Sequence, residues 1–249
     1  MKNLFRSLGI IAMVAMITFA YIACEGPTGP AGTQGPQGDP GKDAGHIHSY
    51  DNGICSECYG IVMVQIKGGT FSMGQSDIAG AAPVRTVTLS NFKMSKYAVT
   101  QELYEAVMGE NPSYFQGASR LPAGGEIQGK RPAEQVSWYN AILFCNRLSL
   151  KEGLTLAYQV TGVTNWNTAI APGASNTNWN AATIDSGSNG YRLPTEAQWE
   201  YACRAGTTTS WSFGDTDTGI IGDYAWYPTN ANSMTHQVGK KTSECLGLV

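Results

Sequence analysis

"YRLPTEAQWEYACRAG", residues 191–206, decides how this chain is read. Pro194 sets the lead-in to a helix, Thr195 and Gln198 stand at capping-box spacing, and Gly206 supplies a stop. Glu200 precedes Arg204 by one turn, the favourable order for an i,i+4 ion pair. Glu196 and Glu200 also lie a turn apart, as paired acid–base carboxylates would. Glu196, however, occupies the first turn, where its charge complements the helix macrodipole, and no histidine or further acid stands nearby. Catalysis by this pair is therefore not expected, and no catalytic residue is assigned to the stretch.

Two further helices lie upstream. Ser137 caps "WYNAILFCNRLSL" (138–150), in which Trp138, Ala141, Ile142, Cys145 and Leu148 fall into one apolar stripe. Cys145 sits in that stripe as a structural thiol. Thr100 caps "QELYEAVMG", with Leu103 and Val107 one turn apart, Gly109 as the stop and Asn111-Pro112 forbidding continuation. Ahead of them, "IVMVQIKGGTFSMG" (61–74) reads as two short strands about Gly68-Gly69. "VRTVTLSNFKMSKYAVT" (84–100) alternates as a half-buried strand does. In the low-complexity stretch 154–190, "TNWNTA" (164–169) echoes "TNWNAA" (177–182). The echo reads as a long hairpin whose strands each present a Trp, or as a solvent-facing Asn/Trp surface for glycan or protein contacts. Short alternating segments, well-marked helices and 30 glycines point to a loop-rich protein.

Charged residues make up 14% of the chain, against roughly 25% in soluble domains, and the net charge is −3. No basic stripe is present, so a nucleic-acid partner is not expected. The N-terminus reads as an export address. Lys2 and Arg6 precede the apolar run 8–23, which is shorter than the roughly 20 residues of a spanning helix. Tyr21-Ile22-Ala23-Cys24 resembles a bacterial lipobox, although Tyr21 departs from the usual Leu. Residues 1–23 are thus expected to be a lipoprotein signal peptide, and Cys24 the lipidated N-terminus of an extracytoplasmic, membrane-anchored protein at the periplasm or cell surface; an ordinary signal peptide or an uncleaved anchor is the alternative. Within 24–45, glycine recurs at every third position from 26 to 41, a collagen-like period. So short a run reads first as an extended spacer, with a trimeric stalk as the alternative. In the segment 46–60, His46, His48, Cys55 and Cys58 offer four tetrahedral ligands to a structural zinc. Export favours the other reading, a disulfide or free thiols at Cys55 and Cys58.

"GGTFSMG", "KYAVTQELYEAVMGENPSYF", "RPAEQVSWYNAILFCNRLS" and "YRLPTEAQWEYACRAG" resemble, in this order, the formylglycine-generating enzyme family, also called sulfatase-modifying factors. The resemblance implies an α+β, C-type-lectin-like domain over 61–249, loop-rich and with little regular structure. It implies, for complete relatives, oxidation of a sulfatase cysteine to formylglycine by oxygen, copper(I) and a reactive cysteine pair, together with a calcium-binding loop. It also implies that the copper and calcium ligands come from the family's C-terminal region. Here Leu246-Gly247-Leu248 looks like the start of the motif ahead of those ligands, and Val249 is the last residue. Cys245 is a single candidate, and Cys145 and Cys203 fall in scaffold blocks. The expectation is an incomplete, C-terminally truncated domain with no catalytic residue and no activity. Its apolar stripes at 101–108, 138–150 and 196–205, with Trp199, Tyr201, Trp211, Phe213 and Trp226, would be left uncovered and the domain only marginally stable. The alternative is a non-catalytic lectin-like module displaying a variable ligand-binding face at a bacterial surface.

Overall fold

Gly68 and Gly69 organise the strands between 63 and 95. The computed structural model describes residues 61–242 except 77, 79 and 216–219, and the backbone of the two-residue strands Ala20–Tyr21, Tyr50–Asp51 and Ile54–Cys55. The side chains of Cys24, His46, His48, Cys55, Cys58 and Cys245, and the 26–43 repeat, lie outside the described residues. β1 (Met63–Ile66) enters the glycine pair and β2 (Thr70–Met73) leaves it. A Cβ on Gly68 would stand 2.2 Å from the Leu89 carbonyl oxygen, so the close approach of the two segments requires glycine.

The alternating run 84–100 forms two strands rather than one. β3 (Arg85–Thr88) pairs antiparallel with β2, Thr70 lying opposite Thr88, whereas β4 (Phe92–Ser95) pairs antiparallel with β1, Ile66 lying opposite Phe92. Ala20–Tyr21 lines the other edge of β4. The break falls at 89–91 because this corner answers to the glycine pair: Leu89 N donates to Gly69 O at 2.9 Å and Gly68 N donates to Asn91 Oδ1 at 2.9 Å. Local alternation cannot reveal such a long-range closure.

α1 (Gln101–Met108) starts on the Thr100 cap and ends at Gly109, whose φ of 85° is left-handed, as its sequence predicts. α2 (Trp138–Lys151) starts on the Ser137 cap. The two helices bury the main core between them, with Tyr104 stacked on Phe144 at 5.4 Å and 6°. Leu103 and Val107 from α1, and Ala141, Ile142, Cys145 and Leu148 from α2, are all buried. Two expectations are corrected here. The α1 and α2 stripes are covered rather than bare, since loops at 154–171 and 179–193 close over them. Trp138 stands outside its stripe, 46% exposed.

The covering layer also corrects the reading of the echo. β5 (Tyr158–Gln159) and β6 (Thr183–Ile184) form the base of a hairpin, but neither Trp lies on a strand. Trp179 sits on α3 (Thr177–Asn180), a single turn capped by Asn176, and meets Trp166 edge-on at 5.7 Å. Both rings are buried and pack on α2, so this stretch is not a solvent-facing Trp surface. Asn146 fastens the layer from within α2, donating to Tyr158 O at 2.8 Å and accepting from Tyr158 N at 3.0 Å.

α4 (Glu196–Arg204) carries the expected capping box of Thr195 and Gln198. It ends one residue earlier than the glycine suggests, with Ala205 itself left-handed at φ 50° and Gly206 following at φ 86°. Ala202 packs with Ile66, Phe92 and Met94 in a second, smaller core. A last short helix, α5, spans Ile221–Tyr224.

Candidate functional site

The inner face of α4 is bolted to the β2–β3 hairpin by one ion pair. Glu200 Oε1 accepts from Gly74 N and from Arg204 Nε, each at 2.8 Å, and also faces Arg204 Nη2 at 2.8 Å. Arg204 completes the clamp by donating to Gly74 O at 3.0 Å and Thr209 O at 3.2 Å. The i,i+4 pair expected from sequence is therefore present. Its additional role, joining Gly74 to a helix more than a hundred residues later, carries no local signal. Glu196 is exposed in the first turn and takes no part, so the two carboxylates do not form an acid–base pair.

Beside this clamp the surface is concave. One hollow, about 300 Å³, is lined by Trp199, Glu200, Cys203, Arg204, Ser210 and Trp211 among others. A second, about 480 Å³, opens between β2 and the 206–210 loop, with Phe71, Ser72, Tyr201, Thr207 and Thr208 in its walls. Arg204, Thr209 and Ser210 line both, so the hollows adjoin. Trp199 is 39% exposed. Trp211 is held in place by stacking on Phe213 at 5.7 Å, and Phe213 stacks on Tyr224 of α5 at 5.0 Å.

The described thiols differ in what they can do. Cys145 is fully buried in α2, and desolvation pushes its thiol well above the ordinary range, with Arg192 opposing weakly. Such a thiol is inert, because the thiolate is the reactive form. Cys203 is half-buried on α4 and lines the smaller hollow. The two sit on different helices, and no group of three or more His, Cys, Asp or Glu side chains among the described residues could hold a metal ion.

A buried clasp lies elsewhere, between 123–128 and 231–241, and nothing in the sequence pattern announces it. His236 Nδ1 meets Glu126 Oε1 at 2.9 Å and its Nε2 meets Ala231 O at 3.1 Å. Glu126 Oε2 also accepts from Gln237 N at 3.0 Å. The imidazole stacks on Trp226 with centroids 3.6 Å apart, and Lys241 Nζ stands 3.8 Å from the centre of the same indole. Trp226 is thereby tied down on a surface expected to be bare.

Residues 58–249 match the model of the sulfatase-modifying factor enzyme 1-like domain. The chain is 38% identical over 172 residues to the chaperone protein LppX of Paenibacillus barcinonensis, covering 68% of this chain and 54% of that protein. It is 32% identical over 168 residues to the formylglycine-generating enzyme of Thermomonospora curvata, covering 58% of this chain and 49% of the enzyme. Among solved structures, the Treponema denticola variable protein 1 superposes with a TM-score of 0.70 at 41% identity, covering 75% of this chain and 67% of that one. The chain spans about half the length of these two curated relatives.

Proposed function

The chain belongs to the sulfatase-modifying factor family, and from that premise we propose that it is a lipid-anchored, extracytoplasmic binding module that does not itself oxidise a cysteine. The observation that carries this reading is the ranking of its likenesses. It is more similar to a protein named a chaperone and to one named a variable protein than to the formylglycine-generating enzyme it also matches. Supporting it, Cys145 is a sealed core thiol and Cys203 belongs to the helix that braces the fold. The partner class is a protein, sulfatase-like proteins included, or a glycan. The collagen-like 26–43 segment serves as the spacer that lifts the domain off the membrane, with trimerisation as its second use. A structural zinc at His46, His48, Cys55 and Cys58 would stiffen the base of that spacer without adding chemistry, since four protein ligands leave no open position.

Two outcomes are expected. Incubated with copper and a peptide bearing a sulfatase-type cysteine motif, the purified chain yields no aldehyde by mass spectrometry above the free-metal background. Copper-dependent turnover would overturn the reading and favour the enzyme. For the anchor, a clickable palmitate analogue labels the wild-type chain in cells and the protein sediments with membranes, whereas Cys24→Ala does neither. Equal labelling of the variant would remove the lipoprotein assignment.

A further inference from the structure

We propose that the two hollows beside α4 form one binding site for a neutral saccharide, a reading that rests on the chain being a binding module. The first ground is charge. Among the described residues, Glu200 and Arg204 are the only carboxylate and guanidinium in the walls, and they are bonded to each other at 2.8 Å. An anionic or cationic ligand finds no spare counter-ion there, and an unpaired charge in a partly desolvated hollow is costly.

The second ground is the pairing of ring faces with hydroxyls. Trp199, Trp211 and Phe71 line the hollows together with Ser72, Thr207 and Ser210. A pyranose has the matching chemistry, an apolar C–H face for stacking and a rim of hydroxyls that both donate and accept. Trp211 is already immobilised by the Phe213–Tyr224 stack, which lowers the ordering cost of binding.

The third ground is the state of Glu200. Among the described residues, all three of its contacts fall on Oε1, which orients the carboxylate, and Oε2 is a second acceptor for ligand hydroxyls. Volumes of about 300 and 480 Å³ lie within the roughly 300–1,000 Å³ of small-ligand sites. A peptide occupant is less well served, because peptide grooves rely on deep apolar anchor pockets or counter-charges, and these walls offer neither. α4 thus braces the fold through the Glu200–Arg204 pair, while the same pair and Trp199 form one wall of the ligand site.

The test uses the full chain. Tryptophan fluorescence and calorimetric titration with maltotriose, cellotriose and diacetylchitobiose are combined with a neutral-glycan array. At least one saccharide is expected to bind saturably. Trp199→Ala should weaken it about tenfold, equivalent to ~1.4 kcal/mol, and Trp199→Phe should restore part of the loss. Because Trp199 is 39% exposed, the variant should fold, and its near-UV circular dichroism and melting curve check that it does. Glu200→Gln is a second variant that should also weaken binding, read beside its melting curve because the same side chain holds the Gly74 clamp. No saccharide binding in either format overturns the proposal. So does binding that Trp199→Ala leaves unchanged, since the site would then lie elsewhere. A peptide library that binds in place of glycans, sensitive to Trp199→Ala, overturns the ligand class while the binding-module reading stands. Aldehyde formation in the copper assay would defeat that broader reading without touching the saccharide titration.

Discussion

Arg131→Leu is expected to remove about 3–5 kcal/mol of stability, the scale for deleting one partner of a buried charged network. Arg131 is fully buried, and its guanidinium is the point where three loop segments meet. Nε donates to Thr235 O and Thr235 Oγ1, each at 3.0 Å, while Nη1 donates to Arg120 O at 2.8 Å and Gln128 Oε1 at 3.2 Å. The planar fork thus ties the chain around 120, 128 and 235 together, and it lies 5.5 Å from the centre of the Phe115 ring. Burial pushes its pKa below the usual value, with Glu126 and Glu134 pulling upward, so those carboxylates supply the compensating charge. Leucine would leave the loop acceptors without this donor and both acids without its charge. Arg131→Lys should recover only part of the loss, because one ammonium cannot span Thr235 and Arg120 together. Denaturant midpoints at constant slope measure both variants. A loss below about 1 kcal/mol for Arg131→Leu would show that the loops hold without it.

Arg131 also marks the limit of what can be read from sequence. The local devices are legible, because a cap is a relation among four neighbouring residues: Thr100, Ser137, and Thr195 with Gln198 all act where their spacing places them. The Glu200–Arg204 pair is legible for the same reason. What escapes depends on partners far along the chain. The 84–100 run divides at 89–91 because Gly68 and Gly69 bond there. The two Trp of the echo turn inward because they meet each other and α2. The hollows beside α4 combine residues from 70–84 with residues from 199–212, and the ring faces that line them look in sequence like ordinary core aromatics. Trp199 and Trp211 read in sequence as rings awaiting cover, whereas the structure makes them the walls of a cleft.

Covered stripes change what limits this domain, and alkali is where the limit should show. Tyr104 is 1% exposed and its phenol is pushed up to about 12, chiefly by burial, with Glu110 adding and Arg147 opposing. Burial likewise raises Tyr158, with Cys145 adding and the hydrogen bond from Leu193 N opposing, and it raises the Cys145 thiol. Each group is neutral in the folded core and ionises more readily in the unfolded chain. Where a folded pKa is raised, its contribution is complete below the unfolded value and is lost as pH climbs towards the folded one. The loss should therefore begin with Cys145 near pH ~8.5, where a free thiol titrates, and steepen above ~10 as unfolded tyrosines ionise. Between pH 10 and about 12 Tyr104 alone accounts for roughly 2–3 kcal/mol, since each step of one in pH across that interval removes ~1.4 kcal/mol. Tyr158 acts in the same direction and from the same starting pH. Chemical denaturation at a series of pH values from about 8 to 11 measures the effect. Tyr104→Phe removes one titrating group and so should flatten the decline above pH ~10, whatever it costs at neutral pH. A decline of unchanged slope in that variant would mean that Tyr104 ionises as freely in the folded domain as in the unfolded chain, and that the α1–α2 core admits water.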